Sequence, residues 1–251
     1  MHQSTITSVV LTKNEEQHIG DCLASLTWCD RRVILDSYST DQTIEIAKKA
    51  GATIFFKVFE DYASQRNSAI NLVETEWILF IDADERVSSG LEQEILKIIQ
   101  CDTYDGFWIP TKNNYLGRWL VGGQFYPDCH IRLARTSKLH YDPKSKVHER
   151  AIVEGKVGFI QNSILHFASQ TVKEIISSKK KYAMILAKMM HENNKKPTYQ
   201  VIFAPFATFI EIFIIKKGFK DGFVGLILSS IWAYFEWFKY FQALKLSLFK
   251  E

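Results

Sequence analysis

The chain has 251 residues, 47% hydrophobic and 24% charged, which is enough apolar surface for a sizeable core and excludes a disordered chain. A net charge of +3 is too small to argue for nucleic acid as a partner, although the lysines crowd into the last third. Cys22, Cys29, Cys101 and Cys129 make no C-x-x-C pair, so reduced thiols are expected rather than a zinc knuckle or disulfide framework. The polar N-terminus lacks the order of a secretory signal, and a cytoplasmic protein is expected.

Ile6 to Thr12 reads as a first strand, and Lys13-Asn14-Glu15-Glu16 turns into an amphipathic helix through Ile19, Cys22, Leu23 and Leu26. A second apolar strand ends at Asp36. After Ser37-Tyr38-Ser39-Thr40-Asp41 a helix is predicted from about Gln42 to Ala50, with Thr40 or Asp41 as its cap and Glu45 in its first turn. Gly51 stops that helix, Ala52 to Phe56 is a third strand, and a helix near Ala63 to Val73 carries Gln65, Arg66 and Asn67. Trp77 to Ile81 is then an uncharged buried strand that ends in Asp82-Ala83-Asp84-Glu85-Arg86. Asp82 and Asp84, two apart on an extended chain, are expected to point to one side and share a hard cation; a solvated acidic turn is the plain alternative.

Alternation of strand and helix predicts a mostly parallel α/β sheet with right-handed crossovers, whose ligands sit beyond the carboxyl ends of the strands. Asn14, Asp36 and Asp82 all fall at such ends, so three strands aim polar groups at one crevice.

After a helix over Glu92 to Ile99 the texture becomes aromatic and Gly-rich from Phe107 to Tyr126, which suits sugar rings as well as it suits an aromatic core layer. Asp128 precedes an apolar, basic segment, Cys129 to Arg135, readable as helix or strand. Val147-His148-Glu149 and Leu165-His166-Phe167 offer the other metal-type or acid/base side chains. A helical pattern starts near Thr171, and Asn193-Asn194-Lys195-Lys196-Pro197 is the predicted boundary between a domain 1–195 and a helical extension 196–251. Within the extension, Val201 to Ile215 is interrupted by Pro205 and Glu211, and Phe223 to Phe235 meets a charge at Glu236. Both fall short of the ~18–20 apolar residues of a spanning helix. With flanking Lys216, Lys217, Lys220, Lys239 and Lys245 they read as interfacial helices on an anionic membrane surface, or as faces packed on the catalytic domain or in a homo-oligomer.

The ordered words Leu11-Thr12-Lys13-Asn14-Glu15-Glu16, Asp36-Ser37-Tyr38-Ser39-Thr40-Asp41, Gln65-Arg66-Asn67, Asp82-Ala83-Asp84-Glu85-Arg86, Tyr126-Pro127-Asp128 and Val147-His148-Glu149 resemble the family 2 glycosyltransferases of GT-A fold. The closer likeness is to bacterial lipopolysaccharide core β-1,4-glucosyltransferases, and it extends through Leu165-His166 to Lys217-Gly218-Phe219 and Asp221-Gly222. The resemblance implies a Rossmann-like, mostly parallel sheet flanked by helices that binds a nucleotide-sugar donor. Thr12, Asn14, Glu15 and Ser39 would then border the nucleotide, Asp36 would recognise the base, and Arg66 would approach the diphosphate. Asp84 would ligate Mg²⁺ or Mn²⁺, with Asp82 on the ribose or a metal-bound water and His148, or in second place His166, completing the metal site.

Inverting transfer also needs a base on the acceptor side: Asp128 is the choice and Glu149 its rival. Tyr38 departs from the family's usual glycine, which makes the donor less secure. The Q-x-x-R-W signature of processive members is absent, which favours transfer of a single sugar. The expectation is a peripheral enzyme on the cytoplasmic face of the inner membrane that moves glucose from UDP-glucose to a lipid-linked saccharide such as the lipopolysaccharide inner core. The alternatives are another donor on a different cell-surface glycan, or a non-catalytic saccharide-binding scaffold on a degenerate GT-A fold. A phosphohydrolase with an aspartyl nucleophile fits poorly, because its D-x-D would follow the first strand, which here ends in Thr12-Lys13-Asn14.

Overall fold

The computed structural model describes residues 4–143, 150–168, 171–193 and 197–248. The chain divides into two compact units, one of residues up to Thr111 with Cys129–His166, the other of Lys112–Asp128 with the chain from Phe167 onward. Pro197 lies inside the second unit.

The first unit begins with strands β1 (Ile6–Thr12), β2 (Arg31–Asp36), β3 (Thr53–Phe56) and β4 (Trp77–Asp82), separated by helices α1 (Ile19–Ala24), α2 (Thr43–Lys49) and α3 (Tyr62–Ile70). The four strands are parallel in the order β3-β2-β1-β4. A parallel sheet is covered on both faces, which is why Trp77, Ile78, Leu79 and Phe80 are all fully buried and why no polar residue interrupts them. One face packs Ile6, Val10, Ile34 and Leu79 against Ile19, Leu23 and Ala47; the other packs Val9, Leu35 and Phe80 against Ala63 and Ala69. The register sets Thr12 opposite Asp36, Leu11 opposite Asp82, and Asp36 opposite Phe56, so the polar strand ends line up in one row.

Beyond β4 come β5 (Glu85–Arg86), α4 (Ser89–Ile98), β6 (Gly106–Tyr115), β7 (Arg118–Trp119), β8 (Asp128–Arg135), β9 (Leu139–Tyr141), β10 (Ala151–Val153), β11 (Val157–Phe159) and β12 (Ile164–Phe167). The segment after Asp128 is thus a strand, antiparallel to β4 with Leu133 opposite Leu79. β8 carries the sheet on through β6 and β12 to β5. The last pairing is antiparallel and sets His166 opposite Glu85. β9 and β10 form a separate antiparallel pair. The helix after β4 starts earlier than its apolar pattern, because Ser88 caps it by accepting the Leu91 N–H at 3.3 Å. The N-cap of α2 is Gln42 rather than Thr40 or Asp41, and it makes no side-chain cap; Asp41, one residue earlier, still accepts the Thr43 N–H on Oδ1 at 3.0 Å and so serves one of the first free amides.

In the second unit, β7 folds back on the end of β6. α5 (Val172–Glu192) opens with a capping box between Thr171 and Glu174. α6 (Gln200–Phe209) runs through Pro205 into a π-helical turn, Ile210–Ile215, and a 3₁₀ turn leads on to α7 (Gly222–Leu248), longer than its uncharged stretch. The unit's core gathers Leu120, Phe125, Ile212, Leu228, Ile231 and Phe235. Among the described residues no helix is long and apolar enough to cross a membrane.

A buried acid ties this unit together. Asp221, 1% exposed, accepts the N–H groups of Val121 and Gly122 at 2.9 Å each. Two glycines permit the approach: a Cβ on Gly122 would lie 2.3 Å from the Lys217 carbonyl oxygen, and one on Gly225 would lie 2.0 Å from that of Gly218.

Candidate functional site

At the tips of β1 and β2 the two polar loops are sewn to one another. Asp36, fully buried, accepts the Thr12 hydroxyl at 2.7 Å and both the N–H and the hydroxyl of Ser39 at 2.6 Å. Ser39 Oγ in turn accepts the Asn14 N–H at 2.8 Å, and Asn14 Oδ1 accepts the Thr40 N–H at 2.8 Å. The Glu15 N–H reaches Thr43 Oγ1 at 2.7 Å. Such short polar residues recur because each offers the backbone a local partner where the strand ladder stops. Two residues sit in the left-handed region, Asn14 at φ 57° and Tyr38 at φ 62°. Asparagine tolerates this; for tyrosine it costs about 1 kcal/mol or more.

At the tip of β4 the two aspartates part. The strand ends with Asp82, and the chain turns at Ala83-Asp84 before β5, so the extended alternation that would aim both carboxylates to one side is lost. Asp82 points to Arg66, Nη2 to Oδ1 at 3.3 Å, and to Arg132, Nη2 to Oδ2 at 2.9 Å. Arg132 also pairs with Glu85 at 2.9 Å, and Glu85 accepts the Asp82 N–H at 2.8 Å. Asp84 instead meets His166, with Oδ2 and Nε2 3.1 Å apart. The β5–β12 pairing places that imidazole there.

The charges follow. Burial works against ionised Asp82, but Arg132 and Arg66 outweigh it and hold the carboxyl well below its usual range. Glu85 is pushed up to about 7, by burial and by the neighbouring Asp82 against the pull of Arg132. Glu15 is likewise raised to about 7, by burial first and then by the carboxylates of Asp84, Asp41 and Asp82. Burial opposes a charge on His166, yet its hydrogen bond to Asp84 and the nearby carboxylates raise it above the ordinary histidine value. Four carboxyl groups, of Glu15, Asp82, Asp84 and Glu85, thus interact at this corner with Arg66, Arg132 and His166.

That donor set fits a divalent cation. Among the described residues no three His, Cys, Asp or Glu side chains are gathered as a closed metal cage. Asp84 and His166, whose side chains are 38% and 24% exposed, would offer such a cation one oxygen and one nitrogen ligand. His148 and Glu149 lie outside the described residues. Asp128, the first residue of β8, is exposed, in the second unit. The sequence favours His148 over His166 and does not single out Arg132 or Glu85; an arginine set between Ile131 and Leu133 in mid-strand is the signal that would have found Arg132.

A parallel sheet with polar residues at the carboxyl tips of β1, β2 and β4 and an Asp-His pair beside them has the layout of a glycosyltransferase of GT-A fold. Residues 7–138, just over half of the chain, match the model of glycosyl transferase family 2, and the chain belongs to that family. It is 29% identical over 252 residues to a lipopolysaccharide core biosynthesis glycosyltransferase, LpsC, of Rhizobium meliloti, covering 94% of this chain and 92% of the relative. A glycosyltransferase of Rickettsia typhi is 28% identical, with 97% and 88% covered. The crystal structures of S. aureus TarS 1–349, alone and in complex with UDP-GlcNAc, are similar in fold: the TM-scores are 0.51 and 0.52 at 15% and 16% identity, covering 97% and 95% of this chain and 91% and 92% of those. The protein is a glycosyltransferase.

Proposed function

We propose that the enzyme transfers one hexose, glucose from UDP-glucose in first place, with inversion, to a lipid-linked saccharide of the lipopolysaccharide core type. The Asp84–His166 contact at the tip of β4 carries this reading, because a carboxylate and an imidazole side by side can hold a divalent cation, and such a cation would balance the charge of a donor diphosphate. The likeness to LpsC supports the acceptor class, and the TarS complex with UDP-GlcNAc supports a UDP-sugar.

In this reading Thr12, Asn14, Glu15, Asp36 and Ser39 form the nucleotide loop, and Arg66, beside Asp82, faces the diphosphate. Asp84 and His166 would hold Mg²⁺ or Mn²⁺, which supplies Lewis-acid stabilisation of the departing diphosphate. Asp128 takes the proton of the acceptor hydroxyl as its oxygen bonds to the anomeric carbon; the bond from that carbon to the diphosphate breaks, and its electron pair leaves with the diphosphate. Glu149 is the other acid for this step. The C-terminal helices hold the enzyme on the cytoplasmic face of the inner membrane, near a lipid-anchored acceptor.

Incubation with radiolabelled UDP-glucose, Mn²⁺ and core saccharide acceptors tests the assignment. A product with one added β-linked glucose is expected, with Asp128→Asn slowing turnover about 10²-fold or more while UDP-glucose affinity is retained. Failure of every UDP-sugar to give product would contradict the reading, and a fully active Asp128→Asn would remove Asp128 from the base role.

A further inference from the structure

Tyr38 is held in a conformation that its side chain disfavours. Its φ is 62°, in the left-handed region, where a glycine would sit without strain. Lys13 fixes the turn by donating from Nζ to the carbonyls of Ser37 at 2.8 Å and Tyr38 at 2.5 Å. The ring gains little from the fold in return. It is 54% exposed and tilted 30° against Phe56 at 5.6 Å between centroids, and Phe56 is itself 51% exposed. Two rings that stay half-exposed after packing on one another give the loop little reason to prefer tyrosine to glycine, which points to a compensation outside the free protein.

Their place in the fold says what they meet. Phe56 is the last residue of β3 and lies opposite Asp36 across the β2–β3 ladder, and Tyr38 stands two residues beyond Asp36. Both rings thus flank the carboxyl tips of β2 and β3, in the crevice region where open α/β sheets bind ligands. Asp36 itself is fully buried and accepts three hydrogen bonds from Thr12 and Ser39, whereas the two rings beside it stand among the exposed groups of this tip.

Resting on the nucleotide-sugar donor proposed above, we infer that Tyr38, backed by Phe56, is the stacking wall for the donor's nucleobase and sets affinity for the nucleoside half of the donor. A base has a π-face that stacks on an aromatic ring whatever its hydrogen-bonding edge, and loss of such a contact weakens binding by about 5- to 100-fold. The strained tyrosine is therefore a binding residue for the base, distinct from the carboxylate and imidazole that face the diphosphate.

Calorimetric titration of the whole protein with UDP and with inorganic pyrophosphate, both with Mn²⁺, tests this on wild type, Tyr38→Gly and Tyr38→Phe, with a thermal melt of each. The expected result is a Tyr38→Gly variant with an equal or higher melting temperature, UDP binding at least ~5-fold weaker, pyrophosphate binding unchanged, and Tyr38→Phe close to wild type. If wild type binds UDP and Tyr38→Gly binds it equally well, the inference is overturned while the donor reading stands. A Tyr38→Gly protein that melts lower and loses UDP and pyrophosphate alike would show that the ring only supports the loop, which also overturns it. A wild-type protein that binds no uridine nucleotide overturns the donor reading and takes this inference with it.

Discussion

The Asp82 carboxylate lies between two guanidinium groups, whereas Asp84, two residues on, faces the imidazole of His166. Asp82→Asn would leave Arg66 and Arg132 short of a counter-charge, with side chains 7% and 10% exposed. Breaking a fully buried pair costs about 3–5 kcal/mol; because the Asp82 side chain is 38% exposed, the expected loss is about 1–2 kcal/mol. Asp84→Asn is expected to change stability by less than ~0.5 kcal/mol. Urea unfolding of the two variants checks this, and equal losses would contradict the division between them. The D-x-D word was plain in the sequence, but the turn that separates its two acids was not, because an alternating pattern carries no mark of where a strand stops. Nor was the choice of histidine legible. His166 reaches Asp84 through the β5–β12 pairing, across 82 positions of chain, and local pattern says nothing about such a partner.

In the second unit, α6 and the π-helical turn after it show how far apolar pattern alone can be read. The sequence marks Val201 to Ile215 as an apolar segment that is too short to span a membrane, and the structure leaves much of it bare. Ile202, Phe203 and Phe206 are each more than 60% exposed, Ile210 and Ile214 continue the surface, and Ile212 is the residue turned into the core. Exposed Lys216, Lys217 and Lys220 follow at one end. An apolar face with a cationic rim matches an anionic leaflet, which supports the proposed membrane attachment. The double variant Phe203→Glu/Phe206→Glu is expected to fold with an unchanged melting temperature and to lose at least ~10-fold in affinity for vesicles containing phosphatidylglycerol, measured by co-sedimentation. Unaltered vesicle binding would contradict the attachment, and a wild-type dimer that the variant dissolves would assign the face to a second copy instead. Point substitutions are the proper probe here, because removing the chain beyond Pro197 would also strip Leu120 and Phe125 of Ile212, Leu228 and Ile231. The words Lys217-Gly218-Phe219 and Asp221-Gly222 were visible in the sequence without a reason. The reason is the Asp221 clamp on Val121 and Gly122, a contact across a hundred residues.

At the scale of the whole molecule, the parallel half was legible because each strand-helix step is local and its connection has one favoured hand. β1 to β4, their order of appearance and the row of polar tips at Asn14, Asp36 and Asp82 all follow from that. The antiparallel continuation through β8, β6, β12 and β5 depends on pairings distant in sequence, as does a second unit that draws Lys112–Asp128 to the C-terminal helices. The proposed donor site nonetheless lies in the legible part, at the tips of the parallel strands, with His166 the addition that only the fold supplies. The claim that this corner binds a UDP-sugar through a divalent cation is tested most directly by calorimetric titration of UDP-glucose, with and without Mn²⁺, into wild type, Asp84→Ala and His166→Ala. Wild type is predicted to bind at least ~10-fold more tightly with Mn²⁺, and both variants to lose that gain while keeping their metal-free affinity. Wild-type binding that ignores the metal, or variants that respond to it as wild type does, would contradict the account.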